Sequence, residues 1–213
     1  MKLADLTVSE FFRELSSVSP APGGGSVAAL CAGLSAALCA MVARLTHGKE
    51  KYRPHWEAME SLIQQADFLA DRFIVLMDAD TQAYNQVVAA MRLPRETAEE
   101  KAVRKTAIEQ ANRKAAEVPL ETLKNTLKLA DIVNEAVEKG NVNCITDAGT
   151  AAQLVRTAAY GAAYNVRINL AGIADPVFVE NCRAEVRRIL SGIHTSIDAV
   201  AQKVESELKK AEG

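Results

Sequence analysis

The residue for chemistry that the sequence isolates most sharply is an aspartate. Leu62, Ala66, Leu69, Phe73, Leu76, Tyr84, Val87 and Met91 recur at spacings of 4, 3, 4, 3, 8, 3 and 4, the signature of one apolar face on a long helix. Asp80 bisects the eight-residue gap, whereas Asp78 falls with Glu60, Gln64, Asp67, Asp71, Gln82 and Asn85 on the polar side. A carboxylate on a core-facing stripe loses hydration, which raises its pKa and suits it to proton transfer near neutral pH. A structural aspartate, paired with an arginine or a helix terminus, fits the same position, and periodicity leaves both readings open.

Two loops offer further groups. The first, PAPGGGS at residues 20–26, sets three glycines before an apolar helix. Such a loop lets backbone N–H groups and a helix N-terminus approach an anionic group. No lysine with Ser/Thr follows it as in a Walker loop, and no strand precedes it as in a dinucleotide fold. A tight turn without ligand is the alternative. The second loop, GNVNCITDAGT at residues 140–150, puts Asp147 and Thr150 where a helix begins. N-capping by Thr146 or Asp147 is one reading; a catalytic reading requires Asp147 to face the same cavity as Asp80. His47, His55 and His194 lack ligand spacing and read as surface or packing residues, with no metal expected. The stretch from Arg92 to Lys114 holds seven positive and four negative residues, a solvated helix face or a surface for a polyanionic tail.

The elements that must position these groups read as helices throughout. Thr7 with Glu10, and Thr97 with Glu100, form capping boxes. A helix from about Ser26 to Thr46 carries Leu30, Leu34, Leu38, Met41 and Leu45 at spacings of three and four. Alanine fills most of the rest, so neighbours can approach closely on nearly every side and the helix belongs at the centre of a bundle. Pro54 opens the long helix of Asp80, and Pro94 ends it. Pro119 predicts a kink or break in the next helix, for which Gly140 is the C-cap. A second alanine-rich helix spans about Asp147–Ala171, stopped by Gly172; Asp175 and Pro176 start the last, to about Lys210. The expectation is an all-α fold: one domain over residues 1–213, a helical bundle with two alanine-rich central helices wrapped by longer amphipathic ones.

Composition agrees with a soluble enzyme-sized domain. The chain has 213 residues, 49% hydrophobic and 24% charged, with net charge −2. That balance argues against a nucleic-acid or anionic-membrane partner. Val27–Ala43 is uncharged over 17 residues, short of the roughly 20 needed to span a bilayer, and reads as a buried helix. Cys31, Cys39, Cys144 and Cys182 form no C-x-x-C pair and fit a reduced, cytoplasmic protein.

Several segments, in order, resemble one family. PAPGGGSVAAL resembles a P-T-P-G-G-G-S/G opening. LTHGKEKYR resembles L-T-x-G-K-x-x-Y. LMDADTQAYNQVVAAMRLP resembles an acidic helix ending Leu-Pro, and AAEVPLE the segment at a helix-breaking proline. KGNVNCITDAGTAAQL resembles G-N-x-N-x-x-S-D-A-x-x-A, and NVRINLAGI the following N-V-x-I-N. Together they resemble the formiminotetrahydrofolate cyclodeaminase / methenyltetrahydrofolate cyclohydrolase family. Ala21 and Thr146 depart from its usual Thr and Ser.

That resemblance implies an all-helical homodimer acting on tetrahydrofolate derivatives as substrates, with no cofactor. It carries the family's aspartate onto Asp80, with Asp147 as second catalytic candidate. Pro22, Gly23, Gly24, Gly25, Ser26, Lys49, Tyr84, Asn143 and Thr146 become the substrate-binding candidates. Lys49 and the Arg92–Lys114 stretch are candidates for holding the glutamate tail. The implied reaction is hydrolysis of 5,10-methenyltetrahydrofolate, with cyclodeamination of the 5-formimino compound as the alternative. A non-catalytic folate-binding helical module is the alternative of another class.

Overall fold

The computed structural model describes residues 2–212. Six α-helices carry the fold: α1 (Val8–Leu15), α2 (Gly24–Thr46), α3 (Trp56–Met91), α4 (Ala98–Lys139), α5 (Ile145–Asn169) and α6 (Pro176–Glu212). No strand occurs among the described residues, so the all-α bundle expected from the sequence is the fold. Short 3₁₀ turns, Leu3–Asp5, Glu50–His55, Val142–Cys144 and Leu170–Gly172, lead into or out of the helices.

The sequence's punctuation sets these ends. Both capping boxes form: Thr7 and Thr97 accept from the Glu10 and Glu100 backbones, whose side chains accept in return. Asp175 Oδ1 accepts from the Val177 and Phe178 N–H groups at 2.9 and 3.1 Å, capping α6. Pro54 lies in the 3₁₀ turn that precedes α3. Pro119, expected to kink or break its helix, does not break it: α4 runs on from Ala98 to Lys139. Proline's missing N–H orphans the carbonyl four residues back, here that of Ala115. Asn169 of α5 donates its side-chain amide to that oxygen at 2.7 Å. A tertiary hydrogen bond thus replaces the lost helical one.

α2 and α5 form the centre. Ala28, Ala29, Ala32, Ala36, Ala40 and Ala43 on α2, and Ala148, Ala151, Ala152, Ala158, Ala159, Ala162 and Ala163 on α5, are at most 2% exposed. Small side chains let the axes approach closely. A Cβ at Gly161 would meet the Ala28 Cβ at 3.1 Å. The longer α3, α4 and α6 pack around this pair with large side chains such as Leu62, Phe73, Leu123, Leu129, Ile189 and Ile193, all fully buried. Each such burial contributes about 1.5–3 kcal/mol.

α2 runs antiparallel to both α3 and α5. Along α3 its Gly33 faces Phe73, and its Arg44 pairs with Asp67. Along α5 its Gly24 meets Asn165, and its Ser35 donates to the Ala151 carbonyl at 2.8 Å. By length and composition α2 could cross a membrane, yet much of it is buried in the bundle. Its leucine stripe is the exception. Alanines make the closest contacts with the neighbouring helices, while Leu34 and Leu45 remain 49% and 45% exposed, Met41 is half-buried, and Leu30 and Leu38 are half-buried against the core's edge. α2 is therefore enclosed on three sides, with its most hydrophobic face turned outward.

Candidate functional site

Asp80 lies about two-thirds of the way along α3, at the level where α2 begins. Its carboxylate oxygen Oδ2 accepts from the Ser26 hydroxyl at 3.0 Å, and the Ser26 backbone N–H is a second donor. The Ser26 hydroxyl also lies 3.1 Å from that of Thr81. α2 has Gly23 at its N-cap, with no side chain to cap the helix, and Asp80 supplies the missing acceptor from another element. A helix start favours an anion at this place. The carboxylate rests against bare backbone, because a Cβ at Gly25 would overlap it, 2.6 Å from its Cγ. Only glycine admits Asp80 here.

The electrostatics are unusual for a capping aspartate. Burial pushes the Asp80 carboxyl above its ordinary 3.8, and the Ser26 hydrogen bonds only partly oppose that shift. Among the described residues no cation contributes to its environment, so the arginine-paired reading does not hold and the helix-terminus reading does. The result is a desolvated carboxylate held in place by two donors and lacking a counter-ion. Such a group can take a proton from a reactant and stabilise a cation placed beside it.

The other candidates fall into two groups. Pro22, Gly23, Gly24, Gly25 and Ser26 line the start of α2 beside Asp80, and Tyr84 lies one turn further along α3, 39% exposed. Two residues of this region escaped the sequence reading. Thr81 adjoins Ser26, and the Asn165 amide would meet a Cβ at Gly24 at 3.3 Å. The NVRINL segment contains Asn165, but nothing in its spacing distinguishes it from Asn169, which instead serves Pro119.

Lys49, Asn143, Thr146 and Asp147 belong to the opposite end. Asn141 N–H donates to Thr46 Oγ1 at 2.8 Å, which fixes the second loop to the last turn of α2. Asp147 and Lys49 both act electrostatically on the Cys144 thiol, whose pKa is raised chiefly by burial. At 1.5 Å per residue, these groups stand more than about 15 Å from Asp80 along the α2 axis. A catalytic Asp147 requires it to face the cavity of Asp80, and within one chain the antiparallel α2–α5 packing separates them. The same separation takes Lys49, Asn143 and Thr146 away from the glycine loop. Thr146 and Asn143 are exposed, and the loop's structural centre is Asn141.

The remaining candidates are accounted for locally. His47 stacks on Trp56, and His194 lies 3.3 Å from Asp198. In the Arg92–Lys114 stretch, Arg104 bonds the Met91 carbonyl and Arg113 pairs with Glu109 and Asp175. The four cysteines are free thiols, and burial pushes that of Cys39 up to about 12.

Comparison with known proteins fits this architecture. The Formiminotransferase-cyclodeaminase family model matches residues 7–188. The formimidoyltransferase-cyclodeaminase of Rattus norvegicus is 34% identical over 96% of this chain, which spans 38% of that protein's length. The methenyltetrahydrofolate cyclohydrolase of Methylorubrum extorquens is 32% identical, over 95% of this chain and 97% of its own. The crystal structure of formiminotetrahydrofolate cyclodeaminase from Thermotoga maritima superposes with a TM-score of 0.83 at 26% identity, covering both chains fully. The chain belongs to the formiminotransferase-cyclodeaminase family.

Proposed function

We propose that this protein hydrolyses 5,10-methenyltetrahydrofolate to 10-formyltetrahydrofolate, with Asp80 as the catalytic residue. The observation that carries the reading is the desolvated Asp80 carboxylate, braced by Ser26 and without a counter-ion. The relative of matching length named as a cyclohydrolase supports it. The methenyl carbon bridging N5 and N10 is cationic and completes the charge balance that the site lacks. Asp80 takes a proton from water as the water oxygen bonds to this carbon. The tetrahedral adduct then opens: the C–N5 bond breaks, protonated Asp80 returns its proton to N5, and the hydroxyl proton leaves to solvent as the formyl group forms. Water and folate supply all the atoms, and no cofactor enters. The glycine loop and Tyr84 border the space where the pterin would lie.

Cyclodeamination is the second reading, supported by the solved relative of that name. N10 would attack the 5-formimino carbon, and Asp80 would carry the proton that lets ammonia leave. Absorbance of the methenyl compound, followed with wild type and Asp80→Asn, separates the two. Loss of absorbance with wild type, reduced about 10²–10⁴-fold in the variant, fits hydrolysis through Asp80. Growth of absorbance with ammonia release from the 5-formimino compound fits cyclodeamination. Binding without turnover of either would leave a folate-binding module.

The working form is proposed to be a homodimer. The outward face of α2 bears no charge from Val27 to Ala43, and Arg44 beyond it is paired with Asp67. With α3 and α5 beside it, a three-helix face about 30 Å square offers roughly 900 Å², against the ~800 Å² per partner of a stable interface. Pairing these faces with the α2 helices antiparallel would bring Lys49, Asn143, Thr146 and Asp147 of one copy toward the Asp80 end of the other. Leu34→Glu is expected to yield monomers in sedimentation; an unchanged dimer would reject this face.

A further inference from the structure

The hydrogen bonding of Asp80 does not end at Ser26. The Ser26 hydroxyl, on a residue with no exposed surface, lies 3.0 Å from Asp80 Oδ2 and 3.1 Å from Thr81 Oγ1. A hydroxyl has one proton to give and lone pairs to accept with, whereas a carboxylate only accepts. Ser26 therefore donates to ionised Asp80, and Thr81 must donate to Ser26. Protonated Asp80 reverses the order: it donates to Ser26, Ser26 donates to Thr81, and the proton of half-buried Thr81 is left for water. Thr81 behaves unlike other helical threonines of this protein. Thr46, Thr106, Thr122, Thr150, Thr157 and Thr195 donate their hydroxyls to the carbonyl four residues back, the usual local bond of such a residue. Among the described residues the Thr81 hydroxyl has Ser26 as its one hydrogen-bond partner.

Asp80 has no other protein group to exchange a proton with. Asp78, on the same helix, accepts from the Leu3 N–H at 2.6 Å, and among the described residues no charged group acts on the Asp80 carboxyl. Hydrolysis of a cationic methenyl carbon to a neutral formyl group releases one proton per turnover. We infer that Ser26 and Thr81 form the outlet for that proton, with Thr81 acting on Asp80 only through Ser26. The step follows the return of a proton to N5: the Asp80 carboxylate takes the hydroxyl proton of the opened adduct as the formyl C=O forms. Asp80 now donates to Ser26. Its proton passes to Ser26 Oγ, that of Ser26 to Thr81 Oγ1, and that of Thr81 to a water. Each hydroxyl keeps one proton, Asp80 is again ionised, and both hydroxyls again point toward it, so the transfer restores the starting order. Hydrogen bonds in such a chain polarise one another, so the Thr81 donor also strengthens the hold of Ser26 on the carboxylate. This role rests on the hydrolysis proposed above and gives the last proton its route to solvent.

The test uses Thr81→Val, which keeps the side chain's shape and removes the hydroxyl, and Thr81→Ser, which keeps the hydroxyl. With 5,10-methenyltetrahydrofolate, Thr81→Val is expected to lower kcat by about 2–10-fold, the worth of one hydrogen bond, with KM unchanged. The acid limb of its kcat–pH profile should move to higher pH, because the carboxylate loses support. Thr81→Ser should restore both. Imidazole, a small proton carrier, should raise kcat of Thr81→Val toward wild type, once the rate without enzyme is subtracted, and leave wild type unchanged. A loss that neither imidazole nor Thr81→Ser repairs would make Thr81 merely structural and overturn the outlet, as would a wild-type kcat and pH profile in Thr81→Val. Carbon-13 NMR of the Asp80 carboxyl supplies a readout independent of turnover: its titration midpoint should lie higher in Thr81→Val than in wild type. An unmoved midpoint overturns the chain whatever the kinetics. If wild type consumes no methenyl substrate, hydrolysis and outlet fall together, while a moved midpoint still makes Thr81 the residue that tunes Asp80 through Ser26.

Discussion

At the C-terminal end of α2, polar groups satisfy one another. Asn141 donates to Thr46 and the Leu45 carbonyl, accepts from the Tyr52 hydroxyl and the Asn143 N–H, and so ties two loops into a closed knot. At the N-terminal end the same kinds of residue, small, polar and glycine-rich, leave one carboxylate desolvated with no cation beside it. One end stabilises; the other keeps a group in a state that costs stability and confers reactivity. Similar composition thus says little about role, and the balance of donors, acceptors and charges says much more.

Several variants would break or sharpen this contrast. The largest effect is expected from Gly25→Ala, whose Cβ would displace the Asp80 carboxyl. Turnover should fall by on the order of 10²–10⁴, the typical contribution of a positioned acid–base group; near-wild-type rates would exclude Asp80 from the reaction. Next, Asn141→Ala removes the centre of the knot and leaves buried partners unsatisfied. A loss of about 2–3 kcal/mol is expected in urea unfolding, with kcat of the folded protein retained; a fall in kcat without loss of stability would reverse the roles of the two ends.

Smaller effects follow. Asn169→Ala orphans the Ala115 carbonyl opposite Pro119 and should cost about 1–3 kcal/mol. Pairing it with Pro119→Ala should recover much of that loss, since the helix regains its own donor. The smallest and most diagnostic effect concerns pH. The native state holds the Asp80 proton more tightly than the unfolded chain does. Between the ordinary carboxylate value and the raised native one, wild type therefore loses stability as pH rises. Asp80→Asn should melt higher than wild type at pH 7, with the advantage vanishing below the ordinary value of 3.8. An advantage constant with pH would assign the effect to packing. Turnover should show the opposite trend and rise with pH as the Asp80 carboxylate forms.

Much of this arrangement was legible in the sequence, for identifiable reasons. Caps are local, so Thr7, Thr97 and Asp175 announced their helices. Asp80 was visible because a core-facing stripe makes a single interruption conspicuous. The same periodicity failed on α2, where it marked the apolar Leu30–Leu45 stripe without revealing that the core would take the alanines instead. Close helix packing selects small residues, and leucine spacing alone cannot say what covers it. The break expected at Pro119 does not occur, and the reason is not local: its remedy, Asn169, is fifty residues away. The sequence states the condition that Asp147 must face the Asp80 cavity but not whether it is met; chain direction, which separates the two within one chain, is a tertiary fact.

The alanine-built interior has a further consequence for how this protein can change over generations. A site that already holds a methyl group against a neighbouring backbone has no smaller apolar residue to retreat to except glycine, and no room for a larger one. Ala28 against Gly161, and the fully enclosed Ala158, Ala159, Ala162 and Ala163, are such sites. The inward faces of the two central helices are therefore close to frozen, and substitutions in the core are easier on the three long outer helices, where side chains can trade volume with one another. Divergence among descendants of this fold should be read in its shell, while its axis keeps time far more slowly.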